Sequence, residues 1–301
     1  MERKPAWFRV GTLPTGPKAS RILGIIARRG LHTVCTSAAC PNRGACFAEG
    51  TATFMILGDV CTRACRFCNV KTGVPPPVDA LEPERVAEAA AEMGLRFVVI
   101  TSVTRDDLDD QGAGAFAETI AAVKKRIPGV GVEVLTPDFY GRRALIETVL
   151  EAQPDVFNHN IETVERLTPS VRTRASYSNS LKVLETARKL SRGIPIKSGL
   201  MVGLGENRGE LLTTFRDLAS VGVERLTIGQ YLRPTMKHLP VERYYSPEEF
   251  DELAEEARAA GVKGVLSGPL VRSSYHAGTF LVTSAGAVER QKRGGNSDSI
   301  G

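Results

Sequence analysis

Six cysteines, all between residues 35 and 68, are the side chains in this sequence best suited to redox or metal chemistry. They fall into two triplets, Cys35-x4-Cys40-x5-Cys46 and Cys61-x3-Cys65-x2-Cys68. Three soft thiolates in a short loop suit zinc or an iron–sulfur cluster. A structural zinc site takes four ligands, usually in paired spacings. The second triplet has no such pairing and no histidine close by. A cubane held by three cysteines instead leaves one iron open, where a substrate or cofactor can bind and be reduced. The bland alternative is a zinc knuckle or a set of buried free thiols, and clustering at these spacings is hard to explain that way.

Such ligands need a scaffold. Between the triplets, Thr51-Ala-Thr-Phe-Met-Ile-Leu-Gly58 reads as a strand that delivers the second triplet at its end. Residues 1–50 read as an N-terminal extension, with turns at Pro14 and Gly16-Pro17 and a short helix around Ile22, Leu23, Ile25 and Ile26. A loop at Gly73-Val-Pro-Pro-Pro77 follows the second triplet. From residue 79 the apolar pattern alternates between helical and strand periods. Val86, Ala89, Ala90 and Met93 mark a helix and residues 97–100 a strand; helices then follow at about 113–126, 141–151, 178–191, 208–220 and 247–259. Strands fall between them at about 132–135, 156–160, 194–202, 226–231 and 262–266. Seven strands separated by helices give the rhythm of a parallel α/β sheet. Right-handed crossovers curl such a sheet into a full or partial (β/α) barrel, with a doubly wound open sheet as the alternative. In both, ligands bind beyond the carboxyl ends of the strands, where the second triplet falls. The barrel is expected over residues 51–268 and a C-terminal segment over 269–301, polar and frayed from Glu289.

Composition narrows the function classes. At 301 residues and 42% hydrophobic the chain can bury a full core. A net charge of +5 is too mild to predict a nucleic-acid surface. The N-terminus lacks a signal-peptide pattern, and no apolar run approaches the ~20 residues that cross a bilayer. A cytoplasmic protein follows, in a reducing compartment where clustered cysteines are metal ligands rather than disulfides. An organellar address is the alternative.

Cys61-Thr-Arg-Ala-Cys65-Arg-Phe-Cys68 resembles the cluster loop of radical S-adenosylmethionine (SAM) enzymes, with Phe67 as its aromatic residue. The first triplet, Cys35-Thr-Ser-Ala-Ala-Cys40-Pro-Asn-Arg-Gly-Ala-Cys46, resembles the auxiliary-cluster motif of the lipoyl synthase family. Further matches run along the chain, among them Thr101-Ser-Val-Thr-Arg-Asp-Asp-Leu108, Phe157-Asn-His-Asn-Ile-Glu-Thr163, Lys197-Ser-Gly-Leu-Met-Val-Gly-Leu-Gly-Glu206 and Arg272-Ser-Ser-Tyr275. Some positions depart from the family pattern. Thr36 and Ser37 stand where many relatives have acidic residues, and Phe47 replaces a common tryptophan. Thr101-Ser-Val103 occupies the place of the superfamily's glycine-glycine-glutamate stretch.

The resemblance implies two 4Fe-4S clusters and SAM as cofactors. Cys61, Cys65 and Cys68 would hold the cluster that cleaves SAM. Cys35, Cys40 and Cys46 would hold the auxiliary cluster, with Ser274 as its fourth ligand and Ser273 as the fallback. Gly199, Met201, Gly203 and Glu206 match the element that backs the adenine, with a core strand ending in a glycine turn as the equal alternative. Asn158, Asn160 and Glu162, near a strand end, are candidates to hold the ribose or, equally, to cap the next loop. Lys197, Arg233 and Arg272 are candidates to neutralise the SAM carboxylate or to contact the carrier, with a solvated surface role as the alternative. His32 and His238 are assigned no metal. The implied activity is insertion of two sulfur atoms, at carbons six and eight, into an octanoyl chain on a lysine of a lipoyl carrier domain (a dehydrogenase E2 subunit or the glycine cleavage H protein). A ferredoxin or flavodoxin would supply electrons and an iron–sulfur carrier would rebuild the consumed cluster. No nucleic acid or membrane is expected as a partner, and the chain is expected to act as a monomer. Thiolation of a tRNA base is the rival within the superfamily, and it would call for a basic binding region absent from this sequence.

Overall fold

The apolar runs between the helical segments are near-continuous, as befits strands covered on both faces. The computed structural model describes residues 4–8, 16–38, 40, 42–49, 52–275 and 277–278, and places these runs in one eight-stranded sheet. Its strands are β1 (His32–Thr33), β2 (Thr53–Ile56), β3 (Phe97–Ser102), β4 (Gly131–Leu135), β5 (Val156–Asn158), β6 (Ile196–Val202), β7 (Arg225–Gln230) and β8 (Gly264–Gly268). Strands β2 to β8 pair in parallel, and β1 adds antiparallel to β2. Spatial order follows chain order without reversal. A doubly wound sheet reverses its order at a switch point, so the barrel alternative is the correct one. Because β1 and β8 do not pair with each other among the described residues, the barrel is partial.

Side-chain alternation divides the sheet into two faces. Phe54, Ile56, Val98, Ile100, Val132 and Val134 join the core shared with the helices. Met55, Thr101, Leu135, Gly199, Thr227 and Gly229 turn the other way and line a cavity. The outer layer comprises α1 (Pro17–Arg28), α2 (Glu82–Met93), α3 (Ala113–Arg126), α4 (Arg143–Glu151), α5 (Tyr177–Leu190), α6 (Arg208–Ser220) and α7 (Pro247–Ala259). Capping boxes at Asn207/Glu210 and Ser246/Glu249 satisfy the first amides of α6 and α7. The expected helix near Ile22 is the full α1, whose Ile22, Ile25 and Ile26 enter the same core as the barrel. Arg28 and Arg29 tie α1 to Glu92 of α2 at 2.8 and 2.9 Å.

Several boundaries shift. Strand β5 ends at Asn158 rather than at 160, because Glu162 re-forms a bridge to Leu200 after the chain turns toward the cavity. A 3₁₀ turn at Phe139–Gly141 precedes α4. Strand β1 and a two-stranded ribbon, Val60–Cys61 with Lys71–Thr72, have no counterpart in the sequence reading, since two residues carry no periodicity. The expected turn at Pro14, the strand start at Thr51 and the tail from Glu289 lie outside the described residues.

The open side of the barrel is spanned from both termini. Asn42 Nδ2 donates to the Leu270 carbonyl at 2.6 Å, and the chain beyond β8 folds back across β7. A Cβ on Gly229 would stand 2.1 Å from the Val271 carbonyl oxygen, a backbone atom with no flexible end to retreat. Gly229→Ala is therefore expected to lower stability by about 1–3 kcal/mol through overpacking. Urea unfolding of the variant beside wild type checks it; an unchanged midpoint would mean that the segment slides freely over β7.

Candidate metal centre and active-site cavity

The second triplet hangs from the carboxyl end of β2. The chain reverses through Leu57 and Gly58, at φ 68° and 89°, and the Leu57 amide donates to Glu82 Oε2 at 2.6 Å. Backbone contacts then fasten the loop to its surroundings. The Thr62 amide donates to the Thr104 carbonyl at 3.0 Å and the Arg66 amide to the Val171 carbonyl at 2.9 Å. His238 Nε2 donates to the Cys68 carbonyl at 3.0 Å. Cys61 Sγ accepts the amides of Arg63 and Thr104 at 3.4 and 3.3 Å.

Arg63, between the first two cysteines of this loop, anchors it to the barrel. Its Nε and Nη2 reach Asp106 at 2.9 and 2.8 Å, while Nη1 and Nη2 reach Asp138 at 2.8 and 2.9 Å. The three side chains are 5%, 9% and 1% exposed. Asp106 follows β3 and Asp138 follows β4, so one guanidinium joins the cluster loop to two neighbouring strand ends. The Tyr140 ring stacks on it at 4.8 Å. Burial alone would raise both carboxyls, but hydrogen bonds and charge from Arg63 hold them below the ordinary carboxylate range.

The first triplet is built differently. Cys35 lies on a helical turn, Val34–Ser37, capped by the Thr33 hydroxyl, and Cys46 lies on the short helix Arg43–Glu49. The Cys40 amide donates to the Cys35 carbonyl at 3.2 Å. Cys35 and Cys40 line a cavity of about 640 Å³ together with Cys61, Cys65, Cys68, Ser273 and Ser274. Cys46 is not part of that lining, yet it is close enough to raise the Cys35 thiol electrostatically. Two cysteines of the first triplet, all three of the second and the serine motif therefore face one chamber.

Burial pushes the Cys35 thiol up to about 11 and the Cys68 thiol up to about 12, and raises Cys65. Such thiols become thiolates when a metal centre compensates their charge. Among the described residues no three His, Cys, Asp or Glu side chains close on a single ion. A cubane gives each thiolate its own iron, so its ligands stand farther apart than those of one ion. Three thiolates in the second triplet suit a cubane that leaves one iron open, where a structural zinc site would call for a fourth protein ligand.

The remaining expected site residues separate by depth. Phe67, Asn160, Gly199 and Met201 line the cavity. A Cβ on Gly199 would come within 2.6 Å of Asn160 Oδ1, so glycine there makes room for the amide. Asn160 Nδ2 donates to Glu162 Oε1 at 3.0 Å, and its buried Oδ1 has no protein partner, leaving an acceptor for a ligand. Gly203 and Glu206 do not line the cavity. Glu206 accepts the Gly203 and Leu204 amides at 2.6 and 2.9 Å and the Tyr245 hydroxyl at 2.9 Å, which shapes the turn after β6. Asn158 points lower in the barrel and donates to Glu133 at 3.2 Å. Lys197 is neither at the surface nor in the cavity wall; it pairs with Glu133 inside the barrel. Arg233 lines the cavity while donating to the His238 carbonyl at 2.9 Å. Arg272 also lines it, with burial lowering its guanidinium and the nearby Cys40 thiol opposing that.

The sequence reading did not single out Arg63, Asp106 or Asp138. It also passed over a relay in which Arg172 donates to the Ser180 hydroxyl at 2.7 Å, Ser180 to His159 Nε2 at 3.0 Å, and His159 Nδ1 to the Thr136 carbonyl at 3.0 Å. Burial, then the charge of Arg172, lowers His159 to about 4, so the ring is neutral with its proton on Nδ1. The only sequence signal for Arg63 was a charge inside the cluster loop. Of its acidic partners, Asp106 sits in an Asp-rich stretch and Asp138 stands alone after Pro137, and neither carries a local sign of the pairing.

Because the folded values of Asp106 and Asp138 are depressed, their stabilisation is present above about 3.9 and is lost as pH falls through the folded values. Arg63→Met would leave two buried carboxylates without a cation, with an expected loss of about 3–5 kcal/mol at neutral pH. Their folded pKa values would then exceed the unfolded ones, so acidification should restore stability instead of eroding it. Urea midpoints at about pH 7 and about pH 5 check the sign. A variant as stable as wild type, or one that weakens further on acidification, would contradict this account.

Comparison with known proteins agrees with this geometry. The Radical SAM superfamily profile matches residues 55–218. The lipoyl synthase of Rubrobacter xylanophilus is 55% identical over 274 residues, covering 91% of this chain and 85% of that protein. The lipoyl synthase of Symbiobacterium thermophilum is 50% identical over 301 residues, covering 100% of this chain and 93% of that protein. Among solved structures, the FeFe-hydrogenase maturase HydG from Carboxydothermus hydrogenoformans superposes with a TM-score of 0.56 at 18% identity, covering 76% of this chain and 55% of that one, a likeness of fold. With a partial (β/α) barrel, a three-cysteine cluster loop at the end of its second strand and relatives at this level over nearly its whole length, the chain belongs to the lipoyl synthase family of radical SAM enzymes, which implies a 4Fe-4S cluster and SAM.

Proposed function

We propose that this chain inserts sulfur at carbons six and eight of an octanoyl group carried on a lysine of a lipoyl carrier domain. The observation that carries this reading is the convergence of Cys35, Cys40, Cys61, Cys65, Cys68 and Ser274 on one cavity of about 640 Å³. A reduced 4Fe-4S cluster on Cys61, Cys65 and Cys68 would supply the electron that cleaves SAM to methionine and a 5′-deoxyadenosyl radical, and a second on Cys35, Cys40, Cys46 and Ser274 would supply the sulfur.

The protein's own part is placement and exclusion. Arg63 keeps the cluster loop seated on the strand ends, and Asn160 offers its free Oδ1 to a nucleoside bound against Gly199 and Met201. Val34, Met55, Leu135, Leu200 and Val271 give the chamber apolar walls suited to an alkyl chain, and they keep water from a radical intermediate. The substrate carbon lies between the two cysteine groups, so hydrogen removal and sulfur capture take place without the chain leaving the cavity. The carrier domain is a dehydrogenase E2 subunit or the glycine cleavage H protein, electrons come from a ferredoxin or flavodoxin, and an iron–sulfur carrier rebuilds the auxiliary centre between turnovers. The chain works as a cytoplasmic monomer in this reading. No helix among the described residues is long and apolar enough to cross a membrane.

Iron and sulfide analysis with Mössbauer spectra, after anaerobic reconstitution, tests the assignment. Wild type should hold about eight irons, and either Cys61→Ala/Cys65→Ala/Cys68→Ala or Cys35→Ala/Cys40→Ala/Cys46→Ala about four. The first variant should lose SAM cleavage. The second should still cleave SAM in the presence of an octanoyl-lysine peptide and form no carbon–sulfur bond. Zinc in place of iron, or sulfur insertion by the second variant, would overturn the reading.

A further inference from the structure

Outside the cavity lining, the inward positions of three adjacent strands carry polar groups. Glu133 lies on β4, Asn158 on β5 and Lys197 on β6. Lys197 Nζ donates to both Glu133 oxygens, at 2.8 and 3.0 Å, and Asn158 Nδ2 donates to Glu133 Oε1 at 3.2 Å. Both charged side chains are 1% exposed. An ion pair this deep gives up the hydration of two charges, and an apolar pair of similar volume is often as stable or more so. Core packing therefore does not account for its presence.

A further contact of the same ammonium supplies a use. Lys197 Nζ also donates to the Ser273 carbonyl at 2.5 Å. The segment that follows β8 runs across the inner side of the sheet, and among its described residues none belongs to a strand. At its start Asn42 holds the Leu270 carbonyl, on the side of the first cysteine triplet, and the Val271 carbonyl presses on Gly229. Beyond that point the segment makes a turn closed by the Tyr275 amide on the Arg272 carbonyl at 2.9 Å. A turn fixes its own shape but not its position in the chamber. The charge-assisted bond from Lys197 ties the turn to the barrel wall, one residue before Ser274.

We infer that Lys197, held by Glu133, is a positioning residue that latches the serine motif to the barrel and so presents Ser274 to the centre on Cys35, Cys40 and Cys46. The inference rests on the reading of Ser274 as the fourth ligand. It adds a physical role for the backbone tie. A serine oxygen is a harder and more readily displaced ligand of iron than a thiolate. With the Ser273 carbonyl fastened, the Ser274 side chain can leave the iron when sulfur is withdrawn while its backbone stays in register. Glu133 keeps the ammonium aimed, and Asn158 orients Glu133.

The test compares Lys197→Met, Lys197→Met/Glu133→Leu and Ser274→Ala, each reconstituted in the Cys61→Ala/Cys65→Ala/Cys68→Ala background so that the auxiliary centre is observed alone. The double variant removes both charges together, which keeps the experiment interpretable if the single one fails to fold. The latch predicts about tenfold faster amide hydrogen exchange across residues 269–275, the effect of losing one hydrogen bond to a charged group. It also predicts a Mössbauer signature of the auxiliary irons that moves toward that of Ser274→Ala, with the urea midpoint of the double variant close to that of its parent. Wild-type protection of 269–275 in the double variant, or faster exchange spread evenly over the chain with a lowered midpoint, would overturn the latch. If Ser274→Ala changes the signature and the double variant does not, the latch alone fails. If Ser274→Ala leaves the signature unchanged, the serine-ligand reading fails and the latch with it.

Discussion

Arg63 sits inside a loop whose cysteines must stay at the carboxyl end of a sheet, and its guanidinium is shared between carboxylates from two other strand ends. Everything in the chamber depends on this arrangement. Three buried charges cost a great deal of hydration, and only the near-complete set of hydrogen bonds among Arg63, Asp106 and Asp138 offsets it. The result is a rigid join, since a planar fork bonded to two carboxylates cannot swing without breaking several bonds together. The thiols of Cys61, Cys65 and Cys68 thereby hold their places over the cavity.

The partial closure of the barrel sets the second requirement. Unreversed strand order gives the sheet one inner face and leaves one open side. The segments before β2 and after β8 meet there, joined by Asn42 and the Leu270 carbonyl. Neither segment has enough regular structure to position chemistry alone. The first relies on a capped turn at Cys35 and a short helix at Cys46, and the second relies on Gly229 and Lys197. An open barrel thus allows segments from before β2 and after β8 to line the same chamber as the loop that Arg63 anchors.

Charge is graded along the interior. A neutral, tautomerically fixed His159 and the unpartnered amide oxygen of Asn160 face the cavity, while the Lys197–Glu133 pair lies beneath it. Asn158 and Asn160 show how small a difference separates the two levels. They are two residues apart and share a face. Asn158 is still within β5, in register with Lys197, so it serves the buried pair. Asn160 lies past the strand end and reaches the chamber.

The sequence alone determined the local and the periodic. Cysteine ligands of one centre lie within a few residues of each other, so their spacing reports the centre directly. The alternation of helical and strand periods specified seven parallel strands, because each period reflects burial on known faces. The serine motif was found through resemblance, and the glycine-rich turn after β6 was visible as a pattern whose structural purpose was open. What only the tertiary structure decided was which distant groups meet. Nothing local says that Arg63 faces Asp106 and Asp138, that Lys197 is buried against Glu133 rather than turned to solvent, or that Ser273 and Ser274 share a cavity with the cluster loop. Those pairings depend on strand register and on the curvature of an unclosed sheet, and both are properties of the packed whole that no single segment encodes.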